Sequence, residues 1–576
     1  MNVKSALLAL VAIALTATSA SAEKKHTLHI VTTGDVHGSF FDEPYVGGKT
    51  RTSLMSVKHY VDSLRNAVGA ENVMLLDAGD ILQGDNAAYY YNYVATGEPH
   101  LYPRMAAYMG YDAVTLGNHD IETGHPVYER FAAELTALGI PVLGGNIIDR
   151  NTFAPYFPVY TTMMKAGLKV AVLGFDNANI KAWLDESLWT GLEFLSLENY
   201  VQNCVNLVRR KEKPQVVVVV MHSGTGEGDG QVLENQGLDV YRTLRGVDVL
   251  VCAHDHRPHV ELDGDICLVN GGARAGYVGH AVVEASTFCG SLKSKTTFAE
   301  TVRLDKNAVD EGMKAYFKPE FNKVKEFTLK PVGQLAMPME TRESFVGMCD
   351  YINLIHTVQL EVPEAQLSFA APLTYNGHIK SGQLVYNDLF TIYQFENQLF
   401  VVKMKGEEIR KYLEYSYDNW IQTPGDHVLK IVKEPDPRTG AERWSFVGRT
   451  YNFDSCAGLC YYVDVTKPAG ERVGIISLAD GSAFDPDGWY NVAMTSYRAS
   501  GGGDIIIEGA GIPKSETDSR IIARYPEIRE LIHQYIGSHG VIDSALVGDR
   551  TKIGSWRFVP EEVATPAIKA DMELVF

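Results

Sequence analysis

Five short segments carry side chains that ligate metals. Gly34-Asp35-Val36-His37-Gly38 sets a carboxylate and an imidazole two residues apart, and Asp77-Ala78-Gly79-Asp80 follows it. Gly117-Asn118-His119-Asp120, Met221-His222-Ser223 and Ala253-His254-Asp255-His256 come later. Each has an ordinary reading alone: Asp, Asn and His are common in turns, Asn caps helices, and His-x-His can be a surface pair. Together they supply three carboxylate or amide oxygens and four or five imidazoles, most beside a glycine, and chance is a poor account of that. Asp35, His37, Asp80 and His256 can complete one site, and Asp80, Asn118, His222 and His254 another, with Asp80 bridging. Mixed oxygen and imidazole donors suit two divalent ions such as Zn, Mn, Fe or Co better than Ca, which prefers oxygen alone. Such a pair lies ~3.5–4 Å apart, clamps the oxygens of an in-line displacement at phosphorus, and lowers the pKa of a bridging water toward ~7. His119 has no place in either shell, which leaves it to stabilise developing charge or to protonate the leaving oxygen. Glu122, three residues on, is placed to orient it.

These segments need strands to deliver them. Short apolar runs at Leu28–Thr32, Val73–Leu76, Ala113–Leu116, Val170–Leu173, Val216–Val220 and Val247–Val251 read as strands separated by amphipathic stretches. Near-continuous apolar runs imply strands covered on both faces, hence an α/β or α+β sandwich. Five of the six runs lead into a proposed ligand, as at the strand ends of an α/β sheet where binding loops gather. Residues 305–334 read as a charged helical linker, with Met313, Tyr316, Phe317, Phe321, Val324 and Phe327 at roughly helical spacing before Pro331. The expected plan is a catalytic domain over 23–304, this linker, and a second domain over 335–560 that mixes strands with helices near 348–358 and 405–420.

Composition narrows the function. The chain has 576 residues and a formal charge of 52 − 71 = −19, with 45% hydrophobic residues, so it is neither disordered nor collagenous. Without a basic face it is not suited to gripping duplex nucleic acid, and an anionic substrate must be held by something locally positive. Lys4, the apolar run Ala6–Leu15 and Ala20-Ser21-Ala22 read as a cleavable signal peptide over 1–22, with an exported, periplasmic or cell-surface product. Later stretches are too short or too polar for a transmembrane helix. Seven Cys leave at least one thiol unpaired within the chain; Cys456 and Cys460 could bridge locally or could be two small apolar residues. A monomer is expected.

The order Gly-Asp-x-His-Gly, Gly79-Asp-Ile-Leu-Gln-Gly-Asp85, Gly-Asn-His-Asp, Met-His-Ser-Gly and Ala-His-Asp-His resembles the calcineurin-like metallophosphoesterase signature. The chain after its signal resembles the exported bacterial two-domain nucleotidases, in their 5′-nucleotidase and 2′,3′-cyclic-nucleotide phosphodiesterase/3′-nucleotidase branches. The resemblance implies a four-layer αββα catalytic sandwich, a C-terminal α/β nucleotide-binding domain, the metal ligands given above, and His119 as the catalytic histidine. Glu122 stands where the family often has Asp, and Asp120 where it more often has Glu; neither departure touches the metal ligands.

Two segments of the second domain join aromatics to polar residues or glycines: Tyr393–Asn397 and Tyr490–Asp504. Without the family such aromatics read as core and turn; with it, Phe395 and Tyr497 take the two positions of a nucleobase clamp, and Asn397 and Asp504 are polar contacts. Ala370-Ala-Pro-Leu373 has no guanidinium where the 5′-nucleotidase branch tends to carry one, which favours 2′,3′-cyclic and 3′-nucleotides over 5′-nucleotides. A nucleotide sugar or other phosphate ester is a second reading. A third, metals in a structural role, leaves His119 unused and open shells unexplained. Asn270-Gly-Gly-Ala-Arg274-Ala-Gly-Tyr-Val-Gly279 lacks dinucleotide-loop spacing and reads as a tight turn before a strand at His280–Glu284.

Overall fold

The computed structural model describes residues 23–230, 232–263, 266–422, 425–435 and 441–576. The expected signal peptide, 1–22, lies outside the described residues. The chain forms two compact units: one holds the chain up to Ile180 together with Ser187–Val324, the other Lys181–Glu186 and Lys325–Phe576.

In the first unit two six-stranded sheets face each other. One runs Ser291–Arg303, Tyr277–Phe288, Lys24–Thr33, Val73–Asp77, Ala113–Thr115, Val142–Leu143; the other Pro258–Asp263, Ile266–Gly271, Val249–Cys252, Val216–Met221, Leu168–Phe175, Tyr160–Lys165. Strand alternation sends every second residue between the sheets. Leu28, Ile30, Met74 and Leu76 from the first therefore meet Val170, Val172, Val218, Val220 and Val251 from the second in one fully buried cluster. The alternate set, Ala171, Leu173, Val217, Val219 and Leu250, packs outward on Leu197, Val201, Val205 and Val208 of the helix Leu197–Glu212. On the outer face of the first sheet lies the helix Leu54–Val68, begun by Ser53, whose side chain accepts from the Met55 N–H, and ended at Gly69 with φ +92°. The layers are thus α, β, β, α, as expected for a sheet pair whose apolar runs are covered twice.

Register decides where the chemistry gathers. Thr33 pairs with Asp77 and Asp77 with Val114 in parallel, and in the second sheet Phe175 pairs with Met221 and Val220 with Val251. The parallel strands of each sheet end together, so their following loops share one edge. The strand expected at Val170–Leu173 runs on to Phe175.

Residues 305–328 hold two helices, Glu311–Tyr316 and Lys318–Thr328. Met313, Phe317, Phe321 and Val324 are buried, and the Phe321 ring stacks on Tyr45 at 5.3 Å, so this segment as far as Val324 packs as part of the first unit rather than standing apart. The second unit centres on a five-stranded sheet, Ser455–Ala457, Leu367–Ala370, Trp489–Thr495, Gln398–Lys405, Ile521–Glu527. The helix Gly406–Trp420 buries Ile409, Tyr412, Leu413, Tyr417 and Trp420 against it. Tyr412 stacks on Phe369 with centroids 3.9 Å apart, worth ~0.5–1.5 kcal/mol beyond its buried area. All seven cysteines are thiols, and Cys456 and Cys460 lie on consecutive strands that belong to different sheets. Among the described residues no helix is long and apolar enough to cross a membrane.

Candidate metal centre

Each proposed ligand sits just past a strand end. Asp35 and His37 follow Lys24–Thr33, Asp80 follows Val73–Asp77, Asn118 opens the helix Asn118–Ile121 after Ala113–Thr115, His222 follows Val216–Met221, and His254 and His256 follow Val249–Cys252. They converge as two groups: ligand atoms of Asp35, His37 and His256 lie within 4.8 Å of one another, as do those of Asp80, His222 and His254. Asn118 belongs to the second, its Oδ1 lying 3.1 Å from His222 Nε2 and 2.9 Å from His254 Nδ1. Asp80 Oδ2 lies 3.1 Å from His222 Nε2 and 4.0 Å from His37 Nε2, so this one oxygen faces both groups.

The two carboxylates are aimed by the backbone. Asp35 Oδ2 accepts the His254 N–H at 2.8 Å, and Asp80 Oδ1 accepts the His119 N–H at 2.8 Å. Asp35 Oδ1 and Asp80 Oδ2 are buried with no hydrogen-bond partner. An unsatisfied buried carboxylate oxygen is costly unless a cation meets it, so the two orphaned oxygens fit a metal site. The imidazoles agree. His37 Nδ1 donates to the Gln83 carbonyl at 3.2 Å and His222 Nδ1 to the Ala78 carbonyl at 2.7 Å, which leaves the lone pair of each Nε2 turned toward the centre.

Electrostatics has the same sign. Burial disfavours ionised Asp80, yet His222 and His119 outweigh it and hold its carboxyl well below the usual range. Burial likewise opposes a charged His222, yet Asp80 and Asp35 raise it well above an ordinary imidazole, so without a cation a proton occupies the Nε2 lone pair that a cation would take. The pocket stabilises positive charge. His37, buried and crowded by His256, is pushed far down and stays a neutral donor.

This convergence is strained. Asp35, His37, Asp80, His254 and His256 all adopt left-handed backbone, with φ between +46° and +79°. Non-glycine residues there cost ~1–3 kcal/mol each and persist where surrounding structure over-determines them. Asp120 is one such determinant: its buried carboxyl accepts the N–H groups of Asp80, Gly117, Ile81 and Leu82 at 2.9–3.0 Å, tying the Asp80 loop to the Asn118 loop. Burial, then the nearby Asp80, push it up to about 6. The sequence reading gave Asp120 no role, and it placed nothing after the strand expected at Val170–Leu173, which ends at Phe175 and leads into Asp176 and Asn177. Asn177 Nδ2 holds the carbonyls of His222 and Glu234, both at 3.1 Å. The signal was the apolar run continuing through Gly174 and Phe175.

His119 stands beside the ligands, its ring 5.4 Å from that of His37. Its Nδ1 lies 2.5 Å from Glu122 Oε2, so Glu122 fixes the tautomer with a proton on Nδ1.

In the second unit Phe395 and Tyr497 are half-buried, and both meet Tyr451 edge-on, at 6.4 Å and 6.5 Å. Tyr451 is a third ring that the clamp reading had not placed between them. Two buried arginines brace the segments that carry these rings. Arg529 pairs with Glu396 at 2.8 Å and donates to the carbonyls of Tyr393 and Gln394. Arg498 pairs with Asp454 at 2.8 Å and donates to the Gly502 and Tyr451 carbonyls. Asn397 is buried with Nδ2 3.3 Å from Tyr393 OH, whereas Asp504 is exposed at left-handed φ +59°.

Residues 28–258 match the family described as calcineurin-like phosphoesterase, and residues 331–508 the one described as 5′-nucleotidase, C-terminal domain. The chain is 24% identical to the 2′,3′-cyclic-nucleotide 2′-phosphodiesterase/3′-nucleotidase of Haemophilus influenzae, over 92% of this chain and 87% of that protein. It is 23% identical to a 5′-nucleotidase of Vibrio parahaemolyticus, over 91% of each. Among solved structures, a 5′-nucleotidase precursor from Thermus thermophilus shares the fold with a TM-score of 0.60 at 20% identity, covering 93% of this chain and all of that one. The sulfate thiohydrolase SoxB of the same organism also shares it, with a TM-score of 0.55 at 17% identity over 92% of this chain and 97% of that one, so the fold alone does not name a substrate. The chain thus carries, in order, a calcineurin-like phosphoesterase domain and a 5′-nucleotidase C-terminal domain.

Proposed function

We propose that the chain hydrolyses phosphate esters of nucleotides at a centre of two divalent cations, one held by Asp35, His37, Asp80 and His256, the other by Asp80, Asn118, His222 and His254. The observation that carries this is the pair of orphaned oxygens, Asp35 Oδ1 and Asp80 Oδ2, aimed at imidazole lone pairs. When bound, such cations supply Lewis-acid neutralisation of phosphoryl charge and acidify water toward neutral pH. The remaining work falls to the chain. Glu122 keeps a proton on His119 Nδ1 and stabilises the charged ring, so the ring's other nitrogen can give a proton to the leaving oxygen and recover it afterwards. Backbone N–H groups of His119 and His254 hold the two carboxylates against rotation, so a reacting group meets fixed charge.

The second domain supplies the base site, with Phe395 and Tyr497 as stacking faces and Asn397 and Asp504 as polar contacts; each stack contributes ~1–3 kcal/mol. The substrates favoured are 2′,3′-cyclic and 3′-nucleotides, supported by the name of the Haemophilus relative and by the lack of a guanidinium at 370–373. A 5′-nucleotidase activity is the second reading, supported by the Vibrio relative. The signal-like segment at 1–22 supports export, so that released nucleoside is available for uptake. The test is phosphate release from 2′,3′-cyclic AMP, 3′-AMP and 5′-AMP, with and without a chelator. The proposal expects chelator-sensitive release, fastest when 3′-AMP is the ester; release that ignores the chelator, or none from any nucleotide, overturns it.

A further inference from the structure

Arg274 lies in the turn between the strands Ile266–Gly271 and Tyr277–Phe288, which the sequence reading dismissed as a tight turn. Its backbone N–H donates to the Asp35 carbonyl at 2.8 Å, and its φ is +53°, an angle that glycine adopts far more readily. An arginine pinned there to a ligand-bearing loop calls for a reason. Its guanidinium lies over Gly84: a side-chain carbon built on that glycine would sit 3.4 Å from Arg274 Nη2 and 3.0 Å from His37 Cβ. The missing side chain, held open by Gly84 at φ +109°, is the slot through which Arg274 reaches the edge of the centre.

The carboxylates of Asp85 and Asp35 favour this charge from nearby, and among the described residues neither pairs with it directly. The neighbouring guanidinium, Arg51, is paired with Asp85 at 2.6 Å and donates to the Phe41 carbonyl. Among the described residues Arg274 makes no hydrogen bond or ion pair through its guanidinium, and the side chain is exposed. His256, whose Nε2 lies 2.9 Å from that of His37, is itself 48% exposed, so the proposed centre is open on this side. Arg274 and His119 both border His37.

We infer that Arg274 is a phosphate-binding residue, its planar fork donating to non-bridging oxygens of the phosphoryl group. A guanidinium matches a phosphate in geometry and charge, and a charge-assisted pair of this kind is worth roughly ten- to a hundredfold in affinity. This rests on the phosphoester reading above. Its chemistry favours the doubly charged phosphate of a monoester and of the product over a singly charged diester.

The test uses the full chain loaded with metal, and compares R274G and R274N with wild type. Both substituents tolerate the left-handed angle, so the N–H to Asp35 is retained while the charge is lost. Inorganic phosphate is the probe, read by calorimetry and as inhibition of 4-nitrophenyl phosphate hydrolysis. The expected result is ten- to a hundredfold weaker phosphate binding, with unchanged metal content, a smaller loss for bis(4-nitrophenyl) phosphate, and part of the affinity recovered in R274K. Equal phosphate affinity in wild type and R274G overturns the inference, as does loss of metal in both variants or no phosphate binding by wild type. If wild type hydrolyses no ester yet binds phosphate through Arg274, the hydrolase reading falls and this one stands.

Discussion

Adding a single methyl group at Gly117 would test the geometry of the centre directly. Gly117 has an ordinary φ of −123°, so its backbone does not require glycine; the space around it does. A Cβ there would collide with Asp80 Oδ1 and lie 2.6 Å from Asp80 N and 2.7 Å from His222 Cε1. Unstrained contacts between heavy atoms fall near ~3.5–4.0 Å, so both ligands must retreat by roughly 1 Å. Neither can do so cheaply. Asp80 N is tied to Asp120 Oδ2 at 3.0 Å and His222 Nδ1 to the Ala78 carbonyl at 2.7 Å. Overpacking of this kind costs ~1–3 kcal/mol, or a fall of roughly 2–10 °C in Tm. A ~1 Å displacement of catalytic groups costs about a hundredfold in rate. Gly117→Ala is therefore expected to lose metal from the Asp80–His222–His254 group and about two orders of magnitude in kcat, measured by elemental mass spectrometry and phosphate release. Gly97→Ala, where a Cβ meets nothing within 4 Å, is the control and should match wild type. Full metal content with a rate within about threefold of wild type in Gly117→Ala would refute the reasoning.

Three further outcomes follow from the geometry. His119→Gln should lower kcat by ~10²–10⁴-fold while two metals remain bound, and Glu122→Gln should give a smaller loss of the same kind; equal turnover in both variants and wild type removes them from the chemistry. Burial pushes the Asp77 carboxyl up from 3.8 to about 7, so the folded chain holds a proton there that the unfolded chain releases. The associated stability is present below pH ~4 and lost as pH rises toward ~7, a ceiling of about 4 kcal/mol at 1.36 kcal/mol per pH unit. In metal-free protein the Tm of Asp77→Asn should accordingly gain on wild type between pH 4 and 7.5, and parallel pH profiles would contradict the assignment. Tyr497→Ala should weaken nucleotide use by roughly 10- to 100-fold and leave an aryl phosphate nearly unaffected, since only the nucleotide offers a base to stack; equal loss on both makes the ring structural.

The second domain shows what a family resemblance can and cannot locate. Phe395 and Tyr497 are distinguishable in the sequence only once the resemblance is drawn, because an aromatic beside a turn reads equally well as core. Their supports carry no local signal: Arg498 reaches Asp454 across 44 residues and Arg529 reaches Glu396 across 133. Breaking either buried pair by removing one partner costs ~3–5 kcal/mol, so the segments that carry Phe395 and Tyr497 are tied to the stability of their domain.

By itself the sequence determined which side chains are offered to the proposed centre and the layers that carry them. Side-chain type is local, and so is the apolar run that makes a strand, so Asp35, His37, Asp80, Asn118, His222, His254 and His256 could be read together with the strands before them. The tertiary structure alone decided how those residues are held. Whether Asp35 or His254 turns left-handed, which oxygen of Asp80 is left without a partner, and that Asp120 gathers four N–H groups are outcomes of register between strands far apart in the chain. A backbone angle against local preference persists only where distant packing over-determines it, and no pattern of neighbours along the chain records that.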